Sequence, residues 1–173
     1  MKSPSLWHQF YQNLRHPRKS AMYRFLRVGH TILYAFFLTL ISAVLFSPTV
    51  IQATIKVGQS FSFIFLPIGL IYYYIVLTFL FFTFVSVLSI GSFWLAKGLK
   101  RRLNGQQAWS VTVNAATWPT FLFSLLNLIH KLPSVALFVY FLLTLLMMGM
   151  VTYGLPKPKP FVRPVLKPKD KEA

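Results

Sequence analysis

Six polar side chains recur on one side of an otherwise apolar stretch at about 109–129. Steps of three or four residues separate them, which places them on one face of an α-helix. They are Ser110, Asn114, Thr117, Thr120, Ser124 and Asn127. Acyl chains offer no hydrogen-bond partners, so in lipid this face predicts either packing against other helices or a polar path for a substrate.

Two groups of basic residues border the apolar stretches and could bind anions. The first group comprises Arg15, Arg18, Lys19, Arg24 and Arg27, and the second comprises Lys100, Arg101 and Arg102. Each Lys or Arg near an anionic leaflet contributes about 1 kcal/mol to binding. These residues are predicted to bind anionic phospholipid headgroups or a protein partner. The alternative is that the second group serves only to fix the orientation of the neighbouring spans.

The chain offers little for catalysis or metal binding. Its only acids are Asp170 and Glu172, both near the C-terminus, and it contains no cysteine. Paired-carboxylate acid–base chemistry, thiolate metal sites and cysteine nucleophiles therefore have no residues to use. The four histidines lack the spacing of metal ligands. We expect a non-enzymatic protein without a cofactor or metal.

Composition identifies the class of protein that positions these residues. Hydrophobic residues make up 55% of the 173-residue chain, which carries a net charge of +16, and its mean hydropathy is +0.59. A nucleic-acid binder would spread basic residues over a folded surface, whereas here they lie in the gaps and at the ends of apolar stretches. The sequence therefore predicts a membrane protein that does not bind nucleic acid.

Four stretches are long enough to cross a bilayer as α-helices. The predicted spans are about 31–52, 70–96, 109–129 and 134–153. The fold class is thus an all-α integral membrane protein with four transmembrane helices, which together form a domain over 28–154. Pro67 and Gly69 leave two alternatives for 61–69, either an interfacial piece or the start of the second span.

The distribution of basic residues predicts the orientation of the spans. Sixteen of the 18 Lys and Arg residues precede the first span, lie between the second and third, or follow the fourth. The other two are Lys56 and Lys131. Because cytoplasmic loops are enriched in Lys and Arg, both termini are predicted to be cytoplasmic, in a multi-pass protein of the cell membrane.

The two ends of the chain are predicted to be peripheral. Residues 1–27 form a basic amphipathic segment, and 155–173 form a disordered Pro/Lys-rich tail. Within the first segment, a short helix carries its apolar side chains on one face: Leu6, Trp7, Phe10, Tyr11 and Leu14. This helix is predicted to lie in the headgroup region until Pro17 ends it. The alternative is that it packs against the helical bundle.

Several stretches resemble an uncharacterised family of small multi-pass membrane proteins of Gram-positive bacteria. They are the opening LWHQFYQNLRHPRKSAMYRFLRVGHTILYAFFLTLIS, the loop RRLNGQQAW, and Trp118-Pro119 in a polar span. The family is sometimes labelled MalA-type, for maltodextrin utilisation, and is similar to the Yip1-like group. The resemblance implies a multi-pass helical fold and brings no catalytic residues.

Three functions are compatible with these patterns. The leading hypothesis is a non-enzymatic membrane scaffold or accessory subunit that binds anionic lipid and a membrane-protein partner, or a second copy of itself. The alternative is a small permease or export component that uses the polar face of the third span. A third is a holin-like pore.

Overall fold

The chain folds into helices separated by brief connections. The structure, a computed structural model, describes residues 4–58, 62–130, 132–133 and 135–155, with all of their side chains except those of 18–19, 57–58 and 62–65. The elements are α1 (Leu6–Arg15), a 3-10 helix (Pro17–Phe25), α2 (Val28–Gly58), α3 (Ser62–Gly98), α4 (Gly105–Ile129) and α5 (Val135–Tyr153). The N-terminal arm denotes α1 together with the 3-10 helix. Apart from Leu155, the predicted tail lies outside the described residues.

Three helices of the described residues are long enough and apolar enough to cross a membrane. They are Val28–Lys56 in α2, Leu66–Gly98 in α3 and Val135–Tyr153 in α5. The all-helical fold class is confirmed for the part of the chain that the structure describes, and these helices are consistent with a membrane protein. Helix α4 is not among the three, because its polar face lowers its hydropathy.

The outer surface of the bundle is apolar. Ile75, Phe79 and Ile90 of α3 and Leu137 of α5 are each more than half exposed. A water-soluble protein rarely leaves so much contiguous apolar surface uncovered, whereas lipid chains cover it without cost.

Helices α2 and α4 run in the same direction. Thr31 of α2 contacts Ser110 of α4, and further along both helices Thr49 contacts Asn127. Between these points α4 is enclosed by the rest of the bundle, and it contacts every other helix of the described chain. It is therefore the central element of the fold.

Helices α3 and α5 run in the opposite direction. Thr78 of α3 bonds to Thr39 of α2, and Gly69, earlier in α3, lies against Thr54, later in α2. Helix α5 ends at Tyr153, whose carbonyl accepts a hydrogen bond from Arg101 in the α3–α4 connection. The starts of α2 and α4 and the ends of α3 and α5 thus meet at one end of the bundle, called the basic end below. Among the described side chains, its cations are Arg24, Arg27, Lys97, Lys100, Arg101 and Arg102.

The described helices extend beyond two of the predicted spans. Helix α2 continues past Pro48 to Gly58, and α3 is one unbroken helix from Ser62. Of the two alternatives for 61–69, residues 62–69 therefore belong to the second long helix. Pro67 falls within the first two turns of α3, where few helical hydrogen bonds have formed for it to disrupt.

Candidate functional site

The predicted polar face of α4 lies mostly inside the bundle. Five of its six side chains are buried, and Asn127 at the far end is partly exposed. Its centre is Asn114, which is 2% exposed. The Asn114 Nδ2 group donates to the carbonyl of Ser110 one turn earlier, at 2.7 Å. This bond fixes the amide so that its Oδ1 atom is free to accept bonds from other elements.

Two amides of α1 donate to that one oxygen. Gln9 Nε2 and Asn13 Nδ2 each lie 2.7 Å from Asn114 Oδ1. Gln9 and Asn13 are one helical turn apart, so α1 presents both to the same point. Together Gln9, Asn13 and Asn114 form a buried amide cluster.

The surrounding hydroxyl groups complete the hydrogen bonding of Asn13. Ser20 Oγ, in the 3-10 helix, donates to Asn13 Oδ1 at 2.6 Å. Asn13 Nδ2 also lies 3.0 Å from Tyr34 Oη, which in turn bonds with Thr117 Oγ1 at 2.9 Å. The amide cluster thus joins α1, the 3-10 helix, α2 and α4. Buried amides with this many partners hold one relative arrangement of the elements that carry them.

Aromatic packing supports the same docking of α1. Phe10 is buried with its ring centroid 5.4 Å from that of Phe121 and 6.2 Å from that of Phe37, both edge-on. Trp7 and Tyr11 of the same helix are 64% and 54% exposed. Helix α1 therefore packs on the bundle, which is the alternative of the two predicted arrangements. The packed face is mixed, because Leu6, Phe10 and Leu14 lie on it together with the two amides, while the other two predicted apolar residues point outward.

Other side chains of the protein use the remainder of the α4 face. Ser110 Oγ donates to the carbonyl of Tyr23 at 3.1 Å, and Thr120 Oγ1 bonds with Tyr140 Oη at 3.1 Å. Ser124 Oγ donates to the carbonyl of Thr120 at 2.7 Å. Asn127 Nδ2 donates to Thr49 Oγ1 at 3.3 Å. Each of the six predicted polar residues thus has a hydrogen-bond partner within the protein.

The basic end contains a cleft between the end of α3 and the start of α4. This basic cleft has a volume of about 470 Å³. Its lining residues are Phe93, Lys97, Arg101, Arg102, Leu103, Asn104 and Gln107. Three of the seven are cations, while Phe93 and Leu103 give it an apolar side.

Arg101 differs from its basic neighbours because it also bonds to the protein. Its guanidinium donates to the backbone carbonyls of Leu155 and Tyr153 at the end of α5. The last carbonyls of a helix lack helical donors and carry partial negative charge, so this arginine fastens α5 to the α3–α4 connection. Lys100 is exposed, with a left-handed backbone at φ 53°, and it does not line the cleft.

A capping box begins α4 beside the cleft. Asn104 accepts from the first backbone N–H groups of the helix, and Gln107 Oε1 accepts from the Asn104 N–H at 3.2 Å. Gln107 therefore has a local role, whereas Gln106 is exposed. Gln106 lines a second cleft of about 220 Å³ together with Arg24 and Trp109. Partial burial lowers the pKa of the Arg24 guanidinium from its ordinary value.

The remaining predicted basic residues are not gathered in one place. Arg15 is exposed and donates to Tyr11 Oη at 3.1 Å, and Arg27 is exposed at the start of α2. The side chains of Arg18 and Lys19 lie outside the described residues. Sequence reasoning missed Lys97 as a partner of Arg101 and Arg102. The signal was available, because a lysine in the last turn of a span lies at the level of the following loop.

A model of one protein family matches residues 45–152. The chain belongs to this family, described as "Protein of unknown function (DUF1189)". The predicted membership of an uncharacterised family is thereby confirmed, while the MalA-type and Yip1-like labels stay predictions. Neither the curated proteins nor the solved structures yielded a match.

The DUF1189 match includes the residues of α3 and α4 that line the basic cleft, and Asn114, the acceptor of the amide cluster. It starts within α2 and ends within α5, so it contains Lys97, Arg102 and Asn114. Gln9 and Asn13 precede it. In this DUF1189 protein, the two amide donors of the cluster thus come from outside the matched region.

Proposed function

We propose that this protein is a four-span component of the cell membrane with both termini cytoplasmic, and that it acts as a non-enzymatic accessory subunit whose basic end binds anionic phospholipid. The observation that carries the proposal is the convergence of six cations from two parts of the chain, 24–27 and 97–102, on one end of the bundle.

The position of α4 supports a fourth span. Its 25 residues give a length of about 37 Å at 1.5 Å per residue, against about 30 Å of hydrocarbon. It runs parallel to α2, and the polar groups that lower its hydropathy are hydrogen-bonded inside the bundle. An even number of spans then puts the N-terminal arm and the end of α5 on the same side.

Charge supports the orientation and the ligand. Residues 4–155 contain no Asp or Glu, so no acidic side chain in the described ranges offsets the cations of the basic end. The cytoplasmic leaflet provides negative charge at this level, and each nearby cation contributes about 1 kcal/mol.

Thiol labelling in intact cells tests the topology, because the natural chain has no cysteine. Lys56→Cys should react with a membrane-impermeant maleimide from outside, and Lys100→Cys only after permeabilisation. The cysteine-free parent gives the background. Labelling of Lys100→Cys from outside would contradict the proposed orientation.

Native mass spectrometry of the detergent-purified protein tests the lipid preference. We expect phosphatidylglycerol to be retained in preference to phosphatidylcholine, and equal retention of the two would overturn lipid recognition by charge.

Affinity purification in nanodiscs tests the accessory role. A second membrane protein should be recovered at a constant ratio, and recovery of this chain alone argues against that role.

Transport through the polar face of α4 has less support. A substrate path needs polar groups that are free to bind a substrate, whereas each of the six already bonds within the protein.

A further inference from the structure

We propose that the basic cleft is a discrete site for the phosphodiester group of an anionic membrane lipid, held by Lys97 and Arg102. This inference rests on the proposed function and adds to it a place and a chemical class. Attraction to the leaflet by charge alone would need no cleft. Every exposed cation at this end would then contribute equally to binding.

The lining of the cleft matches the two parts of a phospholipid. Lys97, Arg101 and Arg102 supply positive charge, and the amides of Asn104 and Gln107 lie beside them. Phe93, one turn before Lys97 on α3, forms an apolar side that faces the acyl region. A volume of about 470 Å³ falls in the range of ligand clefts, about 300–1,000 Å³.

The neighbouring aromatic residue places the cleft at headgroup depth. Trp94 of α3 is 64% exposed, and Lys97 Nζ lies 5.6 Å from its ring centroid. Tryptophan and lysine at the end of a span mark the interface between acyl chains and headgroups. A phosphate there belongs to lipid more readily than to a solute.

Arg101 has one hydrogen-bond donor that no acceptor in the described chain uses. Although its terminal nitrogens bond to the end of α5, its buried Nε atom has no hydrogen-bond partner in the described chain. A buried guanidinium N–H without an acceptor is costly, and a phosphate oxygen is a suitable acceptor.

The absence of acidic side chains near the cleft, in the part of the chain that the structure describes, indicates the net charge of its ligand. Zwitterionic lipids carry an ammonium group, which a carboxylate would recognise. Residues 4–155 contain none. The site therefore favours a headgroup with net negative charge, such as that of phosphatidylglycerol.

Variants of matched charge test the site. Lys97→Gln and Arg102→Gln each remove one cation from the cleft, and Lys100→Gln removes one from the exposed loop beside it. Arg101 stays unchanged because it fastens α5. Dissociation constants for phosphatidylglycerol are measured by native mass spectrometry of the full-length protein, with phosphatidylcholine as reference and inorganic phosphate as competitor. Thermal unfolding confirms that each variant is folded.

We expect Lys97→Gln and Arg102→Gln each to weaken phosphatidylglycerol binding about five-fold, the factor equivalent to about 1 kcal/mol per cation at an anionic surface. Lys100→Gln should weaken it less than two-fold. If the wild type prefers phosphatidylglycerol but all three variants weaken it equally, the discrete site is wrong and general charge attraction stands. If inorganic phosphate displaces the lipid at equal concentration, the site binds free phosphate and the lipid assignment is overturned. If the wild type binds phosphatidylglycerol and phosphatidylcholine equally well, the proposed function itself is refuted.

Discussion

Replacing Asn114 by leucine should release α1 from the bundle. Leucine has the same branching and number of side-chain heavy atoms but offers no oxygen to Gln9 Nε2 and Asn13 Nδ2, each 2.7 Å from Asn114 Oδ1. Asn13 keeps Tyr34 Oη as an acceptor at 3.0 Å, whereas Gln9 loses the hydrogen bond of its amide nitrogen. The substitution thus leaves Gln9 Nε2 without an acceptor and removes one of the hydrogen bonds of Asn13 Nδ2.

The expected cost follows from these two losses. A bond between helices in a membrane contributes about 0.6–1.7 kcal/mol, and a buried donor left without an acceptor costs about 1–3 kcal/mol. Together they predict that Asn114→Leu lowers the free energy of undocking α1 by about 2–5 kcal/mol. Because a 10-residue helix is marginal on its own, α1 should unfold whenever it undocks.

Hydrogen–deuterium exchange of the backbone amides of α1 measures this opening directly. A loss of about 2–5 kcal/mol corresponds to exchange about 30- to 5,000-fold faster over residues 6–15. Exchange in α3, which makes no contact with α1 in the described chain, should stay close to that of the wild type.

Asn127→Leu is the matched control on the same face of α4. Asn127 is partly exposed and makes one bond of 3.3 Å to Thr49, so exchange in α1 should not change. The double variant Asn114→Leu with Gln9→Leu removes donor and acceptor together and should recover part of the loss. Unchanged exchange of α1 in Asn114→Leu would refute the conclusion that the amide cluster holds the arm in place.

Three further substitutions test other contacts by thermal unfolding in detergent. Arg101→Gln should destabilise the protein by about 1–2 kcal/mol because the carbonyls that end α5 lose a charged donor, whereas Lys100→Gln should change the unfolding free energy by less than about 0.5 kcal/mol; equal effects would contradict a fastening role. Asn104→Ala removes the capping box and should cost about 1 kcal/mol, against little for the exposed Gln106→Ala, and the reverse order would be incompatible with the cap. Tyr34→Phe should cost about 1–2 kcal/mol, since its hydroxyl joins α1 to α4, and a neutral result would show that the amides suffice alone.

Length and hydropathy are sufficient to locate the long apolar helices. A span needs about 20 apolar residues whatever surrounds it, so the requirement is visible in the sequence itself. The polar face of α4 is visible for a similar reason, because a regular step of three or four residues identifies a helical face. Proline is a weaker signal, as α2 and α3 continue through Pro48 and Pro67.

The docking of α1 could not be predicted in the same way. Its apolar periodicity groups Trp7 and Tyr11 with Phe10, yet the structure buries Phe10 beside Gln9 and Asn13 and leaves the other two aromatic residues exposed. Amphipathicity shows that a helix has two faces, but the surroundings decide which one is buried. Beside a polar helix, amides can share the buried face with apolar side chains because they find hydrogen-bond partners there.

The long separation between Asn114 and its donors has a consequence for how the chain is made. Gln9 and Asn13 precede Asn114 by 105 and 101 residues, so a growing chain contains the arm and α2 well before α4 is synthesised. An α4 segment entering lipid alone would carry several amide and hydroxyl groups without partners. For α4 as the proposed fourth span, we expect insertion to await the earlier elements, so that shortening the arm during biosynthesis would leave α4 outside the bilayer even though its own residues are intact.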